Sequence, residues 1–286
     1  MNTSGQEYWD QRSDSYIKGI DGPYHANRLK MVETLLENLS FASTRCLDFG
    51  CGDGVFAERL LADGAQVTGI DVDETMIRAA RSRLAGKAPV TELIRGDVEG
   101  MEQLPDASFD FLFALNVLAY LNTDEEELFY RHAQRLLRRG GVLIVTHSNG
   151  LFDMFTFNRY TVNFFKKHFS TPGAECDVSD LVVHPDQPER FVFSVRENPL
   201  TYRHKLRRFG FSESRQEFAI LHALPPLLTP SINFDDINSR AYPATTGWPV
   251  EERWKLMFMC SIFGSLSVRN DYSAVANIGD RRSIEE

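Results

Sequence analysis

A glycine-rich turn between an apolar segment and an amphipathic segment is the feature that most constrains the fold of this chain. Residues 46–49, C-L-D-F, read as a buried strand, and Gly50, Gly52 and Gly54 follow directly. Apolar residues at helical spacing predict a helix that starts at Val55. A strand, a glycine turn and a helix in this order place backbone N–H groups and a helix N-terminus at the mouth of a parallel sheet, where a small polar ligand can bind.

The spacing of the glycines distinguishes two classes of nucleotide-like ligand. A dinucleotide-binding fingerprint requires a small residue three positions after its second glycine, and this chain has Val55 there. Asp48 stands just before the turn. Its carboxylate would repel a pyrophosphate but suits a ligand that carries an ammonium group. A nicotinamide-dependent oxidoreductase is therefore disfavoured.

The run D-F-G-C-G-D-G, residues 48–54, resembles the first motif of the class I, Rossmann-like S-adenosylmethionine-dependent methyltransferases. The resemblance is firm over residues 45–150 and looser over the rest of the chain. It implies an α/β fold with a seven-stranded, mostly parallel sheet, helices on both faces and an inserted cap of helix and strand. It also implies S-adenosylmethionine as the cofactor, bound by Asp48, Gly50 and Gly52 at the carboxyl ends of the strands.

A second carboxylate stands at the end of the next predicted strand, residues 66–71. Asp71 lies about twenty residues beyond the turn, where a Rossmann-type acid binds the ribose hydroxyls. A carboxylate suits this role because it accepts two hydroxyl hydrogens at once. Val72 is assigned to the same cofactor site. The alternative, an exposed acid that caps the following helix, describes Asp73 better.

The resemblance implies roles for four further cofactor residues. Asp97, in G-D-V after the third predicted strand, would accept a hydrogen bond from the adenine amine, and the Val98 N–H would serve a ring nitrogen. Arg28 lies where related enzymes place an arginine that pairs with the methionine carboxylate, and a solvated helix arginine is the alternative. Asn116 emerges at the carboxyl end of the predicted fourth strand, where open α/β sheets bind their ligands.

The N-terminal stretch carries aromatic residues at roughly helical spacing, among them Trp9 and Tyr16. Small-molecule methyltransferases often begin with a short helix that closes over the cofactor, so Tyr16 is assigned to the cofactor site. The alternative is that both aromatic rings merely pack this helix on the domain.

Three side chains are candidates for the base that a hydroxyl acceptor needs: His147, His25 and Tyr16. Imidazole titrates near neutral pH, so His147, at the exit of the predicted fifth strand, could take a proton from the methyl acceptor. Together with Asn149 it is expected to face the same crevice as Asn116. It could equally orient the acceptor or satisfy loop backbone groups, and the sequence does not single out any of the three candidates.

Residues 151–199 are more than the fold needs after its fifth strand and are predicted to form the substrate cap. Their aromatic residues are too dense for an exposed surface helix. Four of them are expected to wall the acceptor pocket, with Arg159 as a partner for an anionic group: Phe152, Phe155, Tyr160 and Phe164.

The residues at the end of the predicted fourth strand bear on the substrate. Enzymes that methylate amides or nucleobases usually carry Asn/Asp-Pro-Pro-aromatic there, whereas residues 114–120 of this chain read A-L-N-V-L-A-Y. The resemblance therefore implies methyl transfer to an oxygen or nitrogen of a small metabolite. A catalytically inactive cofactor-binding protein and a macromolecule methyltransferase stay open as alternatives.

Composition and charge limit the remaining classes. The chain has 286 residues, of which 43% are hydrophobic, enough for a large core. A net charge of -9 disfavours non-specific binding of nucleic acid. No apolar run approaches a membrane span, and residues 1–10 are too polar for a signal peptide. The four cysteines lack metal-binding spacing, so no metal is expected, and reduced thiols indicate the cytoplasm.

Four segments are predicted along the chain. Residues 1–150 form the cofactor-binding core, residues 151–199 the cap, residues 200–270 the completion of the sheet and residues 271–286 a mobile tail. A homodimer is left open.

Periodicity and composition also predict individual elements that bear on the site. The helix around residues 25–39 is predicted to bury one apolar face, formed by Leu29, Val32, Leu35, Leu36 and Leu39. Two further helices are predicted over residues 124–139 and 254–263.

Overall fold

The fold is built on one seven-stranded sheet. In this computed structural model, the described residues are residue 9 and residues 22–87, 90–155, 195–222 and 242–270. The strands are β1 Arg45–Phe49, β2 Gln66–Asp71, β3 Val90–Arg95, β4 Phe109–Ala114, β5 Leu137–Ser148, β6 Phe211–Leu221 and β7 Cys260–Arg269. Their order across the sheet is β3-β2-β1-β4-β5-β7-β6. Strands β1 to β5 pair in parallel, and β7 pairs antiparallel with β5 and β6. The predicted fold class is confirmed.

Seven α-helices are described around the sheet. They are α1 Pro23–Leu35, α2 Val55–Ala62, α3 Glu74–Arg83, α4 Thr123–Leu136, α5 Gly150–Phe155, α6 Tyr202–Arg208 and α7 Leu256–Met259. Short 3₁₀ helices cover Glu99–Gln103, Leu118–Tyr120 and Val250–Lys255. No helix in these described ranges is long and apolar enough to cross a membrane.

Both faces of the sheet are buried under helices. In β4, Phe111 and Phe113 pack with side chains of α1 and α2 on one face. Leu112 and Ala114, which alternate with them, pack with α4 and α6 on the other. This arrangement explains the apolar run over residues 111–114 of β4, because a parallel strand covered on both faces needs apolar residues at successive positions.

The end of α4 corrects one predicted boundary. The helix predicted over residues 124–139 ends at Leu136, and Leu137 already pairs with Phe109 of β4. The carbonyls of Arg135 and Leu136 accept hydrogen bonds from Ala107 and Ser108 at 3.0 and 2.9 Å. Because of this long-range pairing, β5 begins at Leu137, although the sequence pattern predicted that the helix continues to residue 139.

The helix predicted over residues 254–263 is also wrong in its second half. Only Leu256–Met259 is α-helical, and β7 begins at Cys260. Cys260 pairs with Leu221 of β6, and Phe263 lies between His147 of β5 and Phe218 of β6. An apolar run that is short enough for either structure becomes a strand here because two neighbouring strands complete its hydrogen bonds.

Helix α1 is rotated relative to the predicted apolar face. Val32 and Leu35 are buried as predicted, whereas the predicted Leu29, Leu36 and Leu39 are only half-buried. The other buried residues of the helix are His25, Arg28 and Met31. The rotation follows from Gly264 of β7: a Cβ atom there would lie 2.7 Å from Leu35 Cδ1 and 3.1 Å from Met31 Cε. The missing side chain lets Leu35 and Met31 of α1 pack closely on β7.

Most of the predicted cap and the tail, residues 271–286, lie outside the described residues. The described chain resumes at residue 195 beside the end of β5. The Glu197 N–H donates to the Ser148 carbonyl at 3.1 Å, and the Glu197 carbonyl accepts from the Gly150 N–H at 2.8 Å. The two ends of the predicted cap therefore meet at one point of the sheet.

A buried ionic cluster holds this junction against α4 and α6. Lys205 of α6 pairs with Glu126 of α4 at 2.5 Å and also with Glu197. Burial raises the pKa of Glu126 to about 7, and the Lys205 ammonium opposes that rise. Two carboxylates thus share one cation in a largely buried position.

We expect the Lys205→Met substitution to destabilise the fold by about 3 kcal/mol near pH 8, because it leaves two buried carboxylates without their cation. Glu126 is protonated more readily as the pH falls through about 7. The loss of stability should therefore be smaller near pH 5 than near pH 8. Urea unfolding at both pH values measures it.

The Lys205→Met/Glu126→Gln double variant is the matched control, since one of the two charges is then absent. It should recover part of the stability at the higher pH. An equal loss for the single variant at both pH values would contradict the shared-cation account.

Candidate active site

The glycine turn after β1 is held against β2 by backbone hydrogen bonds. The N–H groups of Gly50 and Cys51 both donate to the Ile70 carbonyl, at 2.8 and 3.0 Å. Gly50 and Gly52 have φ angles of 75° and 54°, a region that glycine adopts without strain. A Cβ atom on Gly50 would lie 2.7 Å from Val117 Cβ, whereas one on Gly52 would meet no described atom within 4 Å. Gly50 is thus a packing position, and Gly52 faces open space.

Asp71 joins this turn to the end of β2. Its Oδ2 accepts a hydrogen bond from the Gly52 N–H at 2.8 Å, and its Oδ1 accepts one from the Asp73 N–H at 2.9 Å. Burial raises the pKa of Asp71, and both of these hydrogen bonds oppose the rise. A carboxylate has about four acceptor positions, so each Asp71 oxygen keeps capacity for a further hydrogen bond.

Asp73 has a different role from Asp71. Its side chain accepts the Met76 N–H at 2.8 Å and so caps α3. The sequence correctly favoured the cap role for this residue.

Asp48, at the end of β1 just before the turn, has a buried carboxylate oxygen without a hydrogen-bond partner among the described residues. This oxygen is Oδ2, and the residue is 2% exposed. Burial, reinforced by the nearby Asp71 carboxylate, raises the pKa of Asp48 to about 7. Ionising a buried carboxylate whose oxygen has no partner costs free energy. A ligand that supplies a hydrogen-bond donor or a positive charge would offset this cost.

A crevice of about 380 Å³ opens at this edge of the sheet, between the tips of β1, β2 and β4. It is lined by Trp9, Gly50, Gly52, Asp71, Met76, Leu115, Asn116 and Val117. The structure thus brings together four residues that the sequence predicted for the cofactor, namely Gly50, Gly52, Asp71 and Asn116.

Asn116 occupies a strained position in the crevice wall. Its φ angle is 62°, which is uncommon for a residue other than glycine. Its N–H donates to Thr146 Oγ1 of β5 at 2.7 Å, which holds the chain where β4 ends. Trp9 closes the crevice from the N-terminal stretch, with its ring 5.0 Å from that of Tyr120.

Three other predicted cofactor residues lie at the same edge but do not line the crevice. Asp97 is exposed, and its Oδ1 accepts N–H groups of Glu99 and Gly100 at 3.0 and 3.4 Å. Val98 is buried in the core at 2% exposure. Val72 is half-buried, and its carbonyl accepts from Arg95 at 3.4 Å. Their cofactor roles stay predictions.

Arg28 is buried rather than solvated, so the alternative of a solvated helix arginine is wrong. It is 8% exposed and lies 5.4 Å from the Tyr24 ring, with Nη1 3.5 Å from His25 Nδ1. No carboxylate pairs with it in the described part of the chain. A buried guanidinium without an anion is costly, which makes Arg28 a candidate for binding an anionic group of a ligand.

Comparison with known proteins agrees with this geometry. Residues 47–145 match the family model described as a methyltransferase domain. Over these residues the chain is therefore similar to the methyltransferase domain of that family. The predictions of the family, of its class of enzyme and of S-adenosylmethionine as its cofactor are confirmed at the level of that family.

Two curated relatives of the methyltransferase domain are ubiquinone biosynthesis O-methyltransferases. That of Xanthomonas oryzae pv. oryzae is 28% identical over 142 residues, covering 50% of this chain and 56% of the relative. The mitochondrial protein of Schizosaccharomyces pombe is 32% identical over 134 residues, covering 45% of this chain and 47% of the relative. The chain thus spans about half the length of these relatives.

Solved structures match the fold over nearly the whole chain. Magnesium protoporphyrin IX methyltransferase from Synechocystis PCC 6803, crystallised with SAH, has a TM-score of 0.56 at 19% identity, covering 93% of this chain and 98% of that one. An S-adenosylmethionine-dependent methyltransferase from Archaeoglobus fulgidus has a TM-score of 0.55 at 15% identity, covering 91% and 99%. At these identities, the two structures establish the fold.

The two described candidates for a catalytic base, His147 and His25, do not fit that role. His147 is 3% exposed and lies on the α4 and α6 face of the sheet, with its ring 4.5 Å from Tyr202 and 5.2 Å from Phe263. Burial lowers its pKa well below the usual value. Contrary to the prediction, His147 does not line the crevice. It alternates along β5 with Thr146, whose hydroxyl accepts the Asn116 N–H in the crevice wall.

His25 and Tyr16 complete the set of predicted bases. Burial, with a smaller contribution from the charge of Arg28, lowers the pKa of His25 to about 4. A base with so low a pKa is largely neutral but weak near pH 7. Tyr16 lies outside the described residues.

Asn149 was also expected to face the crevice, but it is fully buried. Its Nδ2 donates to the carbonyls of Met257 and Cys260 at 2.7 and 2.8 Å, and its Oδ1 accepts the N–H groups of Leu151 and Phe152. All its hydrogen-bonding capacity is used within the protein. Asn149 therefore positions α5 and does not bind a substrate.

Sequence reasoning also missed residues that line the crevice. Met76, Leu115 and Val117 do so although no motif marks them.

Alanine substitutions at the two turn glycines should separate packing from ligand contact. Gly50→Ala meets Val117 and adopts a left-handed φ, so we expect a loss of about 2 kcal/mol in unfolding free energy. Gly52→Ala meets no described neighbour and should cost about 1 kcal/mol, while its methyl group projects into the crevice and weakens ligand binding. Urea unfolding and calorimetric titration with S-adenosylhomocysteine measure the two effects. Equal unfolding losses, or unchanged binding to Gly52→Ala, would contradict these assignments.

Proposed function

We propose that this protein transfers a methyl group from S-adenosylmethionine to an oxygen or nitrogen of a small metabolite. The observation that carries the proposal is the buried Asp48 carboxylate near Asp71, whose Oδ2 has no hydrogen-bond partner among the described residues. Each carboxylate disfavours ionisation of the other, and burial disfavours both. A ligand that brings positive charge relieves this cost.

The charges of S-adenosylmethionine fit these residues. The molecule carries an ammonium group, a sulfonium group and a carboxylate, whereas a nicotinamide dinucleotide would bring a pyrophosphate next to two acids. Asp48 would hold the ammonium group, and Asp71 the ribose hydroxyls. Arg28, buried without a described carboxylate partner, would hold the methionine carboxylate. When bound, S-adenosylmethionine supplies an activated methyl group on its sulfur.

The remaining predicted cofactor residues are part of the same proposal. Asp97 and the Val98 backbone would bind the adenine, with Val72 beside the ribose. Asn116 lies in the crevice wall and would face the methyl-transfer side. Trp9 also lines the crevice, which supports the interpretation that the N-terminal stretch, with Tyr16, closes over the cofactor.

The protein's own contribution to the rate would be orientation and exclusion of water. Neither described candidate for the base is suited to proton transfer, since His147 is buried away from the crevice and His25 has a pKa near 4. Holding the acceptor in line and keeping water out can supply much of the rate in such reactions. The relatives are named O-methyltransferases, which favours oxygen as the accepting atom.

A small acceptor is preferred over a macromolecule for two reasons. The net charge of -9 does not favour a nucleic-acid substrate, and the curated relatives are named for ubiquinone biosynthesis. The cytoplasmic location and the homodimer stay predictions.

Calorimetric titration followed by labelled methyl transfer tests the proposed function. We expect binding of S-adenosylhomocysteine, loss of that binding in Asp71→Ala, and transfer of label from S-adenosylmethionine into the small-molecule fraction of a cell extract. Binding without any transfer would indicate an inactive cofactor-binding protein. Label confined to protein or RNA would indicate a macromolecule methyltransferase.

The pKa of Asp48 predicts a pH dependence of cofactor binding. Below about pH 7, Asp48 must lose a proton to pair with an ammonium group. The affinity for S-adenosylhomocysteine should therefore rise about tenfold between about pH 6 and pH 8 and then level off. Asp48→Asn should bind more weakly and without this dependence, as titration calorimetry would show.

The stability of the free protein should change in the opposite direction. The folded-state pKa of Asp48 is raised above its unfolded value, so its contribution to stability is largest at low pH and is lost as the pH rises through about 7. Asp48→Asn should thus gain stability over the unsubstituted protein near pH 8. Asp63→Asn, an exposed acid at the end of α2, is the control and should leave both pH profiles unchanged.

A further inference from the structure

We propose that Thr146 is a positioning residue for cofactor binding: its hydroxyl holds the left-handed backbone of Asn116 and so keeps the crevice wall at residues 115–117 in its binding conformation. The inference rests on the proposed function and adds to it a residue that does not itself line the crevice. It is carried by one hydrogen bond, by the backbone angle at Asn116 and by the packing of the wall against the glycine turn.

The backbone of Asn116 has a conformation that few residue types adopt. Its φ angle is 62°, in the left-handed region, which asparagine populates more readily than most residues but less readily than glycine. Asn116 lies between Leu115 and Val117, and all three residues line the crevice. Without a restraint, Asn116 would leave the left-handed region for part of the time, and the wall would then have a different shape.

The restraint comes from Thr146 on the neighbouring strand. The Asn116 N–H donates to Thr146 Oγ1 at 2.7 Å, and Thr146 is only 3% exposed. Thr146 pairs with Gly264 of β7, and the preceding Val145 pairs with Ala114 of β4. The side chain of Thr146 is β-branched, which restricts its rotamers. Its hydroxyl is therefore an acceptor at a fixed place in the sheet.

The other side of the wall packs against the glycine turn. A Cβ atom on Gly50 would lie 2.7 Å from Val117 Cβ and 2.8 Å from Val117 Cγ2, so the Val117 side chain lies directly over this glycine. The Gly50 N–H is bound to the Ile70 carbonyl of β2, which fixes the turn to the sheet. Because closely packed groups do not move independently, a change in the backbone at Asn116 displaces Val117 from the turn.

The same segment continues to the aromatic pair that closes the crevice. The Tyr120 N–H donates to the Val117 carbonyl at 3.0 Å, at the start of the 3₁₀ helix Leu118–Tyr120. The Tyr120 ring lies 5.0 Å from that of Trp9. A change of conformation at Asn116 therefore affects both the wall of the crevice and the residue that closes it.

Loss of the Thr146 hydroxyl should weaken ligand binding without changing the bound state. A neutral hydrogen bond changes an equilibrium by a factor of up to about ten. If about a tenth of the free protein keeps Asn116 left-handed, the ligand binds only that fraction, and its affinity falls about tenfold. Saturating ligand restores the wall, so the effect should be on the affinity and not on the rate of methyl transfer in the bound state.

Thr146→Val keeps the shape of the side chain and removes the acceptor, so it tests the inference. Calorimetric titration with S-adenosylhomocysteine should show an affinity about tenfold lower, whereas Thr146→Ser, which keeps the hydroxyl, should stay within about threefold of the unsubstituted protein. In methyl transfer, the KM for S-adenosylmethionine should rise about tenfold with kcat nearly unchanged. Thr68→Val, the same change at a buried threonine of β2 that does not line the crevice, is the matched control and should bind normally.

Variants of Asn116 test whether the effect passes through its backbone. Glycine adopts a left-handed φ angle without strain, so Thr146→Val in an Asn116→Gly background should weaken binding only about twofold. Asn116→Gly and Asn116→Ala both lack the side chain, and the glycine variant should bind S-adenosylhomocysteine about threefold more tightly. Equal affinities of these two variants would overturn the inference, and this comparison is decisive even if Thr146→Val does not fold.

The outcomes separate this inference from the function on which it rests. An unsubstituted protein that does not bind S-adenosylhomocysteine refutes the proposed function, and this inference with it. If that protein binds S-adenosylhomocysteine, an unchanged affinity in Thr146→Val, or an equal loss in Thr146→Ser, refutes only the positioning role of Thr146. A fall in kcat with an unchanged KM would contradict it as well.

Discussion

The hydrogen bonds of the Asp71 carboxylate are the interaction on which the rest of the site depends. They join the Gly52 N–H of the turn after β1 to the Asp73 N–H at the start of α3. This places Asp71 close enough to the buried Asp48 for each carboxylate to raise the cost of ionising the other. Two acids near the ends of adjacent strands therefore favour a ligand that brings positive charge. The crevice lies at this same edge of the sheet. The position of the turn on the sheet and the electrostatics of the site therefore depend on the same hydrogen bonds.

Successive side chains of β5 point to opposite faces of the sheet. Thr146 accepts the Asn116 N–H in the crevice wall, while His147 points to the other face, between Tyr202 and Phe263. A shift of one residue in a strand exchanges its faces, so a histidine next to a functional position can still be part of the core. The burial that makes His147 a poor base also makes it a packing residue.

The far half of the sheet forms a rigid frame at the base of the predicted cap. Asn149 uses all its hydrogen-bonding capacity to fix α5 against the start of β7, and Lys205 joins Glu197 to Glu126 on the opposite face. Buried polar groups that are satisfied in this way specify one geometry. The strained φ angle of 61° at Ile220 is compatible with this frame, because the surrounding strands leave the chain no alternative path.

The sequence alone determined the features that depend on neighbouring residues: the strand, turn and helix around residues 45–62, the acid at Asp71, the cap at Asp73 and the class of the sheet. Tertiary structure decided the rest. Helix α4 ends early and β7 begins early because distant strands complete their hydrogen bonds. Helix α1 packs closely on β7 because Gly264 has no side chain, and the Ile220 N–H is bound by Asn27, which is remote in sequence. Periodicity reports what a segment can form, whereas burial, pKa and orientation depend on residues that only the folded chain brings together.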